Sequence, residues 1–355
     1  MNGARILVLT TVHPPDDTRI RERLIRTLDE IGSISYACRR PGPSDLTGLT
    51  WLPLEGGRLR RNLAACSLLL RARWDLVVLH DPEMIPAGAL AHGLRRTPVV
   101  FDVHEDLVGQ ISSKQWAPGW ARPSLRVLAR ALFWLAERTL VLTLAEDGYR
   151  RLFHHDHPVF PNHPRSDGYP QPAPEGDGSA LYLGDVTRAR GIEDAVSACH
   201  EADVPLVAVG RVEAGLADSL GETGGVALVG PMPNPEAVRL VAAASVGLSP
   251  LRDHPNYRHS LPTKVLEYLA VGVPVVATDL PGTRAVLEGL EAVWLVAPGD
   301  VEAMARAVGE AVRPEAKRAA VAQAGAIRSR YRWPEEEVRL FYQGLIRRRG
   351  NPDPS

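Results

Sequence analysis

Cysteine is scarce in this sequence, and no disulfide or zinc motif is present. Cys38, Cys66 and Cys199 are odd in number, far apart in the chain and in no CxxC arrangement. This pattern is typical of free thiols in a reducing compartment, and it argues against a disulfide framework and a zinc site. We therefore expect free thiols and a cytoplasmic protein.

Long apolar runs are also missing. The first residues, MNGARILVLTT, lack the apolar core and small-residue cleavage site of a signal peptide and are typical of a first β-strand. The closest candidate for a membrane span, residues 125–144, is interrupted by Arg126, Arg130, Glu137 and Arg138. It falls short of the ~20 apolar residues that cross a bilayer, so we predict no membrane-spanning segment.

Charge of one sign is not in excess either. The formal net charge is −1, whereas a nucleic-acid-binding protein normally carries a basic surplus. The composition, 45% apolar and 23% charged, is that of a soluble globular protein. Residues 1–160 are mildly basic and the rest mildly acidic, which is compatible with an anionic acceptor or a membrane surface.

The length and composition of the chain indicate two domains. At 355 residues the chain is long for one hydrophobic core. The run PNHPRSDGYPQPAPEGDGS, residues 161–179, is dense in proline, glycine and polar residues, as linkers are. We predict an N-terminal domain over 1–163, a linker over 164–178, a C-terminal domain over 179–330 and a helix over 331–350 that returns to the N-terminal domain.

Strands and helices alternate in both halves of the chain. Short apolar runs predict buried strands, and stretches with a helical period predict the helices between them. This alternation predicts an α/β fold of two doubly wound, parallel-sheet (Rossmann-like) domains facing a central cleft, with ligands beyond the carboxyl ends of the strands. The predicted strands are 5–9, 34–38, 75–80, 98–103, 140–144, 180–183, 206–209, 226–229, 246–249, 273–277 and 292–296, and the predicted helices are 20–31, 60–72, 85–95, 124–138, 192–201, 235–244 and 301–311, followed by a last helical pair.

The segment SLPTKVLEYLAVGVPVVATDLPG, residues 260–282, predicts a loop, a short helix and a buried strand. Pro262 suits the first turn of a helix and Ser260 can supply a capping oxygen, so we expect the helix to begin near Leu261. Gly272 is expected to end it. Free N–H groups and the dipole at such a helix start attract phosphate, so the segment predicts an anion site.

Other residues can complete a phosphate site. Gly184 follows a predicted strand, Arg188 and Arg190 come shortly after it, and Lys264 lies in the predicted helix. Together they could neutralise a departing diphosphate, as the breaking of a sugar–phosphate bond requires. Glu267, on the same helix, can accept hydrogen bonds from a ribose; the alternative is an i,i+3 ion pair with Lys264 on a solvated surface.

The common cofactor and hydrolase motifs are absent. No GxGxxG follows the first strand, and GxxxxGK[ST], HExxH and GxSxG do not occur. Asp81-Pro82-Glu83 resembles a two-carboxylate metal motif only loosely, because proline separates the carboxylates and no cluster of further ligands adjoins them. We expect neither a metal nor another cofactor.

Histidines follow two of the predicted strands. His104 comes directly after strand 98–103, where such a sheet places functional groups; alternatively, it bonds a loop carbonyl. His80 is expected to be structural, since Asp81-Pro82 favours a tight turn. A third set of histidines, next to a proline and the predicted linker, is expected to lie in an exposed loop and to bind no metal. It comprises His154, His155 and His157.

Aromatic and basic side chains are interleaved before the predicted strand at 140–144. They could form an interfacial amphipathic face that suits a lipid-linked acceptor. Alternatively, the aromatics pack between the domains or cover the acceptor cleft, which we favour because the basic residues are not cleanly segregated. The residues concerned are Trp116, Trp120, Phe133, Trp134, Lys114, Arg122, Arg126 and Arg130.

Several segments together resemble the retaining glycosyltransferases of family 4, which have the GT-B architecture of two such domains. They occur in the family's order and cover nearly the whole chain. The segments are TTVHPPDDTRI, LHDPEMIPAG, VVFDVHED, FPNHP, LGDVTRARGIEDAV, LPTKVLEYLAVGVPVVATDLPG and RYRWPEEEV.

This resemblance implies a nucleoside-diphosphate sugar as donor, held mainly by the C-terminal domain, and an acceptor facing the N-terminal one. Glu267 matches the ribose-binding second glutamate of the family's Glu-x7-Glu motif, and Arg190 takes the place of its phosphate-binding lysine. His104 matches the histidine near the donor sugar. The resemblance implies that the backbone at Ser260 and Leu261 contacts the sugar and phosphates, and that Gly230 and Pro231 flank the base.

The sequence departs from the family pattern at several positions. His259 stands where the first glutamate of the motif belongs, as is common in a subgroup with a PxKxxEY pattern. Asp185 replaces the usual arginine after the glycine, and Arg188 is the candidate to substitute for that arginine. The first turn lacks the family's paired glycines, and the acceptor-side candidates there and after strand 98–103 are His13, Asp17, Arg19 and Glu105.

The resemblance therefore predicts a metal-independent, retaining transferase that moves a hexosyl-type group to an acceptor hydroxyl. The leaving phosphate oxygen itself would take the acceptor proton. The acceptor is expected to be a saccharide, a lipid-linked molecule or a small molecule, in polysaccharide, glycolipid or specialised-metabolite synthesis. Peripheral contact to the inner face of a membrane is expected only if the aromatic and basic side chains before strand 140–144 form an interfacial face. The alternatives are a catalytically silent GT-B subunit, for which His259 and Asp185 argue, and a sugar-nucleotide epimerase.

Overall fold

The computed structural model describes residues 3–113, 119–165, 169–223, 225–232, 234–255, 257–258 and 262–350. The chain divides into two compact units. The first comprises Met1–Asn162 together with Trp333–Ser355, and the second comprises His163–Arg332. The C-terminal segment of the chain therefore belongs to the first unit.

The first unit is built on a parallel sheet of six strands. The strands are β1 (Ala4–Leu9), β2 (Gly32–Arg39), β3 (Leu49–Leu54), β4 (Leu76–Leu79), β5 (Val99–Val103) and β6 (Val141–Leu144). Their order in the sheet is β3-β2-β1-β4-β5-β6, so the chain order reverses between β1 and β4. Ligands of open parallel sheets bind beyond the carboxyl ends of the strands at such a reversal.

Helices cover both faces of this sheet. They are a π-helical segment (Thr18–Ile25) that continues as α1 (Arg26–Asp29), α2 (Arg58–Arg71), α3 (Ile85–Arg95), α4 (Leu107–Ser113), α5 (Arg122–Thr139) and a C-terminal helix (Glu335–Gly350). Helices α2, α3 and α5 pack on one face, and α1 and the C-terminal helix pack on the other. Every residue of β4 and β5 is buried, because a parallel strand covered on both faces leaves no side for water.

The second unit contains another parallel sheet of six strands, in the order β12-β11-β10-β7-β8-β9. The strands are β7 (Ala180–Leu183), β8 (Leu206–Val209), β9 (Val226–Val229), β10 (Val246–Ser249), β11 (Val275–Thr278) and β12 (Val293–Val296). Its helices are α6 (Ile192–Glu201), α7 (Leu216–Thr223), α8 (Asn234–Ala243), α9 (Thr263–Ala270), α10 (Pro281–Leu287), α11 (Val301–Ala311) and α12 (Pro314–Arg330). Helices α6 and α11 pack on one face, and α8, α9 and α12 on the other.

The structure confirms the predicted α/β fold with two parallel sheets, and each predicted strand is present. Four elements were not predicted: β3, α4, α7 and α10. Strand β3 contains Pro53, which usually argues against a strand. Here it is tolerated because β3 is the edge of its sheet, where one side of the strand needs no backbone donor.

The first helical segment differs from the predicted helix 20–31. It begins at Thr18, because the Oδ1 atom of Asp17 accepts the N–H groups of Arg19 and Ile20 at 3.0 and 3.1 Å. Gly32 begins β2 and does not serve as the end of the helix. A Cβ atom there would lie 2.3 Å from the carbonyl oxygen of Ala4, so only glycine fits this close approach of two strands.

All three cysteines are free thiols, as predicted. Cys38 and Cys199 are buried, and burial raises the pKa of each thiol to about 12. No helix in the described part of the chain combines the length and the apolar character needed to cross a bilayer.

The aromatic residues near α5 divide between core and surface. Phe133 is 3% exposed and belongs to the core beneath α5, so the interpretation that places it on an interfacial face is wrong. Trp120 and Trp134 are exposed. Lys114 and Trp116 lie outside the described residues.

Candidate active site

Helix α9 begins two residues later than predicted. Its first residue is Thr263, and Pro262 occupies the N-cap position with an extended ψ of 106°. Because proline has no side-chain oxygen, it cannot cap the first N–H groups of the helix, and no side-chain cap bond is present. The predicted donor contacts His259, Ser260 and Leu261, including the capping role of Ser260, lie outside the described residues.

Helix α9 is buried along nearly its whole length. Every residue from Lys264 to Ala270 is buried, and Lys264 and Glu267 are each only 7% exposed. The alternative interpretation of these two residues as an ion pair on a solvated surface is therefore wrong. Burial of two charged groups in one short helix needs charged or polar partners nearby.

The ammonium group of Lys264 is buried and has no hydrogen-bond partner among the described residues. It lies over the ring of Tyr182, 3.8 Å from the ring centroid. Burial and then the charge of Arg190 lower the pKa of Lys264 well below its usual value, against the opposing charges of Glu267 and Asp185. An unpaired buried cation of this kind is an incipient anion site.

Gly184 and Arg190 border the same space. Gly184 follows β7 with φ +126°, and a Cβ atom there would lie 3.4 Å from Nζ of Lys264 and 3.6 Å from Nη1 of Arg190. The missing side chain leaves the backbone of Gly184 open to a ligand beside both cations. Gly191, with φ +73°, holds the turn that carries Arg190, since its Cβ would meet the carbonyl oxygen of Pro250 at 1.8 Å.

Two tyrosines that were not predicted hold this site together. The Tyr182 hydroxyl donates to the carbonyl of Asp185 at 2.8 Å, and its ring contacts the ammonium of Lys264. The Tyr268 hydroxyl accepts the N–H of Leu183 at 2.8 Å, which fastens α9 to β7. Tyr268 is the tyrosine of the PxKxxEY pattern, so the motif itself contained the signal for its role.

The other predicted donor-side residues in the described part of the chain, Arg188, Gly230 and Pro231, are exposed. Arg188 is exposed and pairs with Glu193, with its Nε atom 2.9 Å from the carboxylate. Gly230 and Pro231 follow β9 and are exposed. They lie beyond the carboxyl end of their strand, as Gly184 does on β7, so the groups share one edge of the sheet.

A cavity of about 270 Å³ lies at the corresponding edge of the first unit. It is formed by residues that follow β1, β4 and β5, where the order of the strands reverses. Among the residues that line it are His13, His80, Asp81, His104 and Glu105. Of the predicted acceptor-side residues, His13 and Glu105 therefore share this cavity with His104.

His104 and His13 form a hydrogen-bonded pair in the cavity. Nδ1 of His104 donates to the carbonyl of Asp102 at 3.0 Å, because a carbonyl oxygen can only accept. Nε2 of His104 then accepts from Nε2–H of His13 at 2.9 Å. Burial, with the nearby charges of His13 and His80, lowers the pKa of His104 to about 4, so its ring is neutral at neutral pH. His104 thus bonds a carbonyl, as the structural alternative held, and also faces a second histidine.

The carboxylate of Asp81 lies close to the ring of His13, although the sequence predicted only a turn at Asp81. Asp81 is buried and accepts the backbone N–H of Thr11, and its Oδ1 atom lies 3.6 Å from Nε2 of His13. The hydroxyl of Thr10 accepts the N–H of His13 at 3.0 Å. These contacts fix the loop after β1, and the pairing of Asp81 with His13 is too distant in sequence for a local pattern to predict it.

Arg19, a predicted acceptor-side residue, lies in the interior of the first unit. Its guanidinium binds both carboxylate oxygens of Asp102 at 2.8 Å and donates to the carbonyl of Phe160 at 3.1 Å. Burial alone would raise the pKa of Asp102, but Arg19 and His80 hold it well below its usual range. Asp17, another acceptor-side candidate, caps the helical segment at Thr18 and lies 3.9 Å from Nδ1 of His13.

One group of side chains in this region could be considered as a metal site. His80, Asp102 and His104 each offer a ligand atom within 4.8 Å of one another. Both oxygens of Asp102, however, already accept hydrogen bonds from Arg19, whose charge opposes a second cation at the same carboxylate. The arrangement therefore fits a buried ion pair better than a metal centre.

The histidine cluster near the end of the first unit surrounds a carboxylate. His154 and His155 are exposed, as predicted, and their backbone N–H groups donate to Glu137 at 2.8 Å. Nε2 of His157 lies 3.2 Å from the same carboxylate. Burial would raise the pKa of Glu137, but these hydrogen bonds lower it to about 2. The cluster thus fastens a loop to the end of α5.

Two family profiles match the chain. Residues 2–162 match the glycosyl transferase 4-like domain, and residues 179–313 match the glycosyl transferases group 1. No curated protein matches the chain by sequence. Neither family match supports the epimerase alternative.

Solved structures share the fold over nearly the whole chain. Sucrose-phosphate synthase from Thermosynechococcus elongatus has a TM-score of 0.75 at 17% identity, covering 97% of this chain and 98% of its own. HepE from Anabaena, in complex with UDP and glucose, has a TM-score of 0.71 at 16% identity, covering 97% and 99%. The α,α-trehalose 6-phosphate synthase from Burkholderia multivorans has a TM-score of 0.64 at 13% identity, covering 97% and 98%.

The family matches and the architecture agree with each other. The two matched segments fall on the two parallel sheets, one on each, and the structural neighbours share this two-sheet fold along the whole chain. The chain is a glycosyltransferase of the GT-B type.

Proposed function

We propose that this glycosyltransferase takes a hexosyl-type group from a nucleoside-diphosphate sugar and transfers it to an acceptor hydroxyl with retention at the anomeric carbon. The observation that supports this most is the buried ammonium of Lys264, which has no hydrogen-bond partner in the described part of the chain and lies beside Arg190 and the backbone of Gly184. A diphosphate is the ligand whose charge such a site would satisfy.

In this proposal Lys264 and Arg190 drive departure of the leaving group. Negative charge grows on the diphosphate as the sugar–phosphate bond breaks, and fixed cations in a poorly hydrated site stabilise that charge strongly. Binding of the anion would also raise the pKa of Lys264 back toward its usual value, since an opposite charge favours the protonated form. With two cations already in place, we propose that no metal ion is required.

The nucleoside would lie beyond the same edge of the second sheet. Glu267 is one turn further along α9 than Lys264, and its carboxylate is proposed to accept hydrogen bonds from the ribose. Gly230 and Pro231, which follow β9, are proposed to border the base. Support for this class of donor comes from HepE of Anabaena, whose structures are complexes with UDP and with UDP-glucose.

The cavity of the first unit is proposed to receive the acceptor. His13 and Glu105 line it and offer polar groups to a hydroxyl. For a retaining reaction the leaving phosphate oxygen can take the acceptor proton, so no protein base is needed. The acceptor classes that we propose are a saccharide, a lipid-linked molecule or a small molecule of a specialised pathway.

A second candidate is transfer with inversion, and the pairing of His13 with Asp81 favours it. A base must remove the acceptor proton in an inverting reaction, and histidine is the side chain that most often serves as a general base. His13 lies in the cavity with Nε2 directed toward His104 and Asp81, which leaves Nδ1 for a proton. Loss of turnover with unchanged donor affinity in His13→Gln would favour this candidate.

Two measurements test the proposed function. NMR of the product from a donor with known anomeric configuration distinguishes retention from inversion directly. Calorimetric titration with the donor identified in a thermal-shift screen of nucleotide sugars tests the site: Glu267→Ala is expected to weaken donor binding about tenfold or more, the loss of a charged hydrogen bond. Unchanged affinity in Glu267→Ala would contradict the assignment of the ribose to this residue.

A further inference from the structure

The outer face of the first unit carries an unusual share of the exposed apolar surface. Helices α2, α3 and α5 lie side by side on one face of the sheet, and their inner residues, such as Leu69, Ala91 and Phe133, belong to one core. Twelve large apolar side chains are exposed in the described part of the chain. Eight of them lie on these three helices or on the turn Gly119–Ala121 just before α5.

The exposed apolar residues recur at helical spacing. Leu90 and Leu94 are four residues apart on α3, and Leu59 and Leu63 have the same spacing on α2. Residues at this spacing project from the same side of a helix. Leu59 is 74% exposed and Leu94 is 69% exposed, so these side chains are not core residues with one edge at the surface.

Helix α5 continues the same surface. Val127 and Trp134 are seven residues apart and both exposed, and Trp120 in the preceding turn is 84% exposed. The guanidinium of Arg138 stacks over the ring of Trp134, 4.7 Å from its centroid. Large apolar side chains that are exposed together on neighbouring helices mark a candidate interaction site.

The charge of this layer is predominantly positive, although Arg58 pairs with Glu83. Helices α2, α3 and α5 contain nine arginines and a single acidic residue, Glu137. The carboxylate of Glu137 is only 4% exposed and is occupied by the backbone N–H groups of His154 and His155. The outward surface of the three helices is therefore both apolar and positively charged.

We propose that this surface, the α2/α3/α5 face, binds the surface of a bilayer that contains anionic lipid. Exposed Leu, Val and Trp side chains can enter the headgroup region while the arginines contact lipid phosphates. A nucleic acid would pair with the arginines but would leave the leucines in water. A second copy of the chain, docked through the same face, would place arginine against arginine. The proposal is independent of the proposed function.

Sedimentation with lipid vesicles tests the proposal on the full chain. We expect the protein to sediment with vesicles of phosphatidylcholine and phosphatidylglycerol in equal parts, and much less with phosphatidylcholine alone. Arg60→Gln/Arg130→Gln is expected to lower the partition coefficient about 30-fold, since each arginine near an anionic surface contributes about fivefold. Both side chains are exposed, so the fold should not depend on them.

Two control variants make the result specific to this face. Arg306→Gln/Arg318→Gln removes the same two charges from exposed positions on α11 and α12, and it is expected to leave vesicle binding unchanged. Leu94→Gln/Val127→Gln should weaken binding about tenfold because two apolar anchors are lost. Leu240→Gln/Leu340→Gln, at exposed leucines elsewhere in the chain, should not weaken it.

Several outcomes would overturn the proposal. Absence of sedimentation with the anionic vesicles would do so, as would equal losses in the test and control variants. Binding that depends on the arginines but is unaffected by Leu94→Gln/Val127→Gln would indicate general attraction to polyanions. Self-association in ultracentrifugation that Leu94→Gln/Val127→Gln abolishes, without vesicle binding, would assign the face to a second copy.

Discussion

Replacing Lys264 with methionine removes a buried charge and keeps most of the length and volume of the side chain. Lys264 is 7% exposed, and its Nζ has no hydrogen-bond partner among the described residues. If this charge is held in place for a diphosphate, the substitution should improve the stability of the protein and impair its function. A gain in stability together with a loss of function is typical of substitutions in a binding site, where residues that bind the ligand lower the stability of the free protein.

The size of the stability gain follows from the cost of a buried charge. Replacing buried charged groups with apolar ones is often neutral or stabilising by about 1–4 kcal/mol. Because the pKa of Lys264 is lowered by burial and by Arg190, deprotonation already relieves part of that cost. We therefore expect a gain near the lower limit, about 1 kcal/mol, which corresponds to a rise in Tm of about 2–4 °C for a unit of this size.

The loss of donor affinity should be larger. A hydrogen bond to a charged group contributes about 1.5–3 kcal/mol, so Lys264→Met is expected to weaken donor binding about 10- to 150-fold. Calorimetric titration measures the affinity, and thermal unfolding of the free protein measures the stability. Both are done at the same pH, because Lys264 titrates.

Lys317 provides a matched control in the same unit. It is 2% exposed, but its ammonium donates to the carbonyls of Ala242 and Ala244 at 3.2 and 3.0 Å. Lys317→Met should therefore destabilise the protein by leaving two acceptors unpaired, and donor affinity should not change. The reasoning is refuted if Lys264→Met behaves in the same way as Lys317→Met.

Three further changes test other parts of the structure. His104→Gln should remove a pH dependence of stability between pH 6.5 and about 4. In this window His104 is protonated in the unfolded chain but neutral in the folded one, so the free energy of unfolding of the wild type falls by up to about 3 kcal/mol as the pH is lowered. Asp102→Asn should cost about 3–5 kcal/mol in urea unfolding, because it leaves the buried guanidinium of Arg19 unpaired. Gly191→Ala should cost more than about 1 kcal/mol, because its φ is +73° and its Cβ would meet Pro250, and it should weaken donor binding by displacing Arg190.

Each of these changes has a contradicting result. Identical acid-unfolding profiles for the wild type and His104→Gln would show that His104 is not held neutral. A loss under about 1 kcal/mol in Asp102→Asn would show that the Arg19–Asp102 pair is solvated. Donor affinity that survives Gly191→Ala would separate the Arg188–Arg190 turn from the donor site.

Much of the fold could be predicted from the sequence because buried parallel strands are locally encoded. Runs such as 180–183 and 206–209 are apolar without interruption, and a helix of ordinary length separates them. Strand β3 was missed because Pro53 breaks the local pattern. Its place is determined by pairing with β2, which a local pattern does not report.

The candidate site could be predicted only in part. The motifs singled out Gly184, Arg190 and Lys264, which the structure brings close together, but helical periodicity left open an alternative in which Lys264 and Glu267 form an ion pair on a solvated side. A periodic pattern assumes that polar residues face water, and α9 is instead buried on all sides. The pairing of Arg19 with Asp102 spans 83 residues and depends on the sheet topology, so local sequence could not reveal that Arg19 is structural.

A crystal structure of the protein with the nucleoside diphosphate that stabilises it most tests the central claim directly. We expect the diphosphate to lie beside the backbone of Gly184, within hydrogen-bond distance of Nζ of Lys264 and the guanidinium of Arg190. We also expect the ribose to contact Glu267. A nucleotide bound elsewhere, with the ammonium of Lys264 still unpaired over the ring of Tyr182, would contradict it.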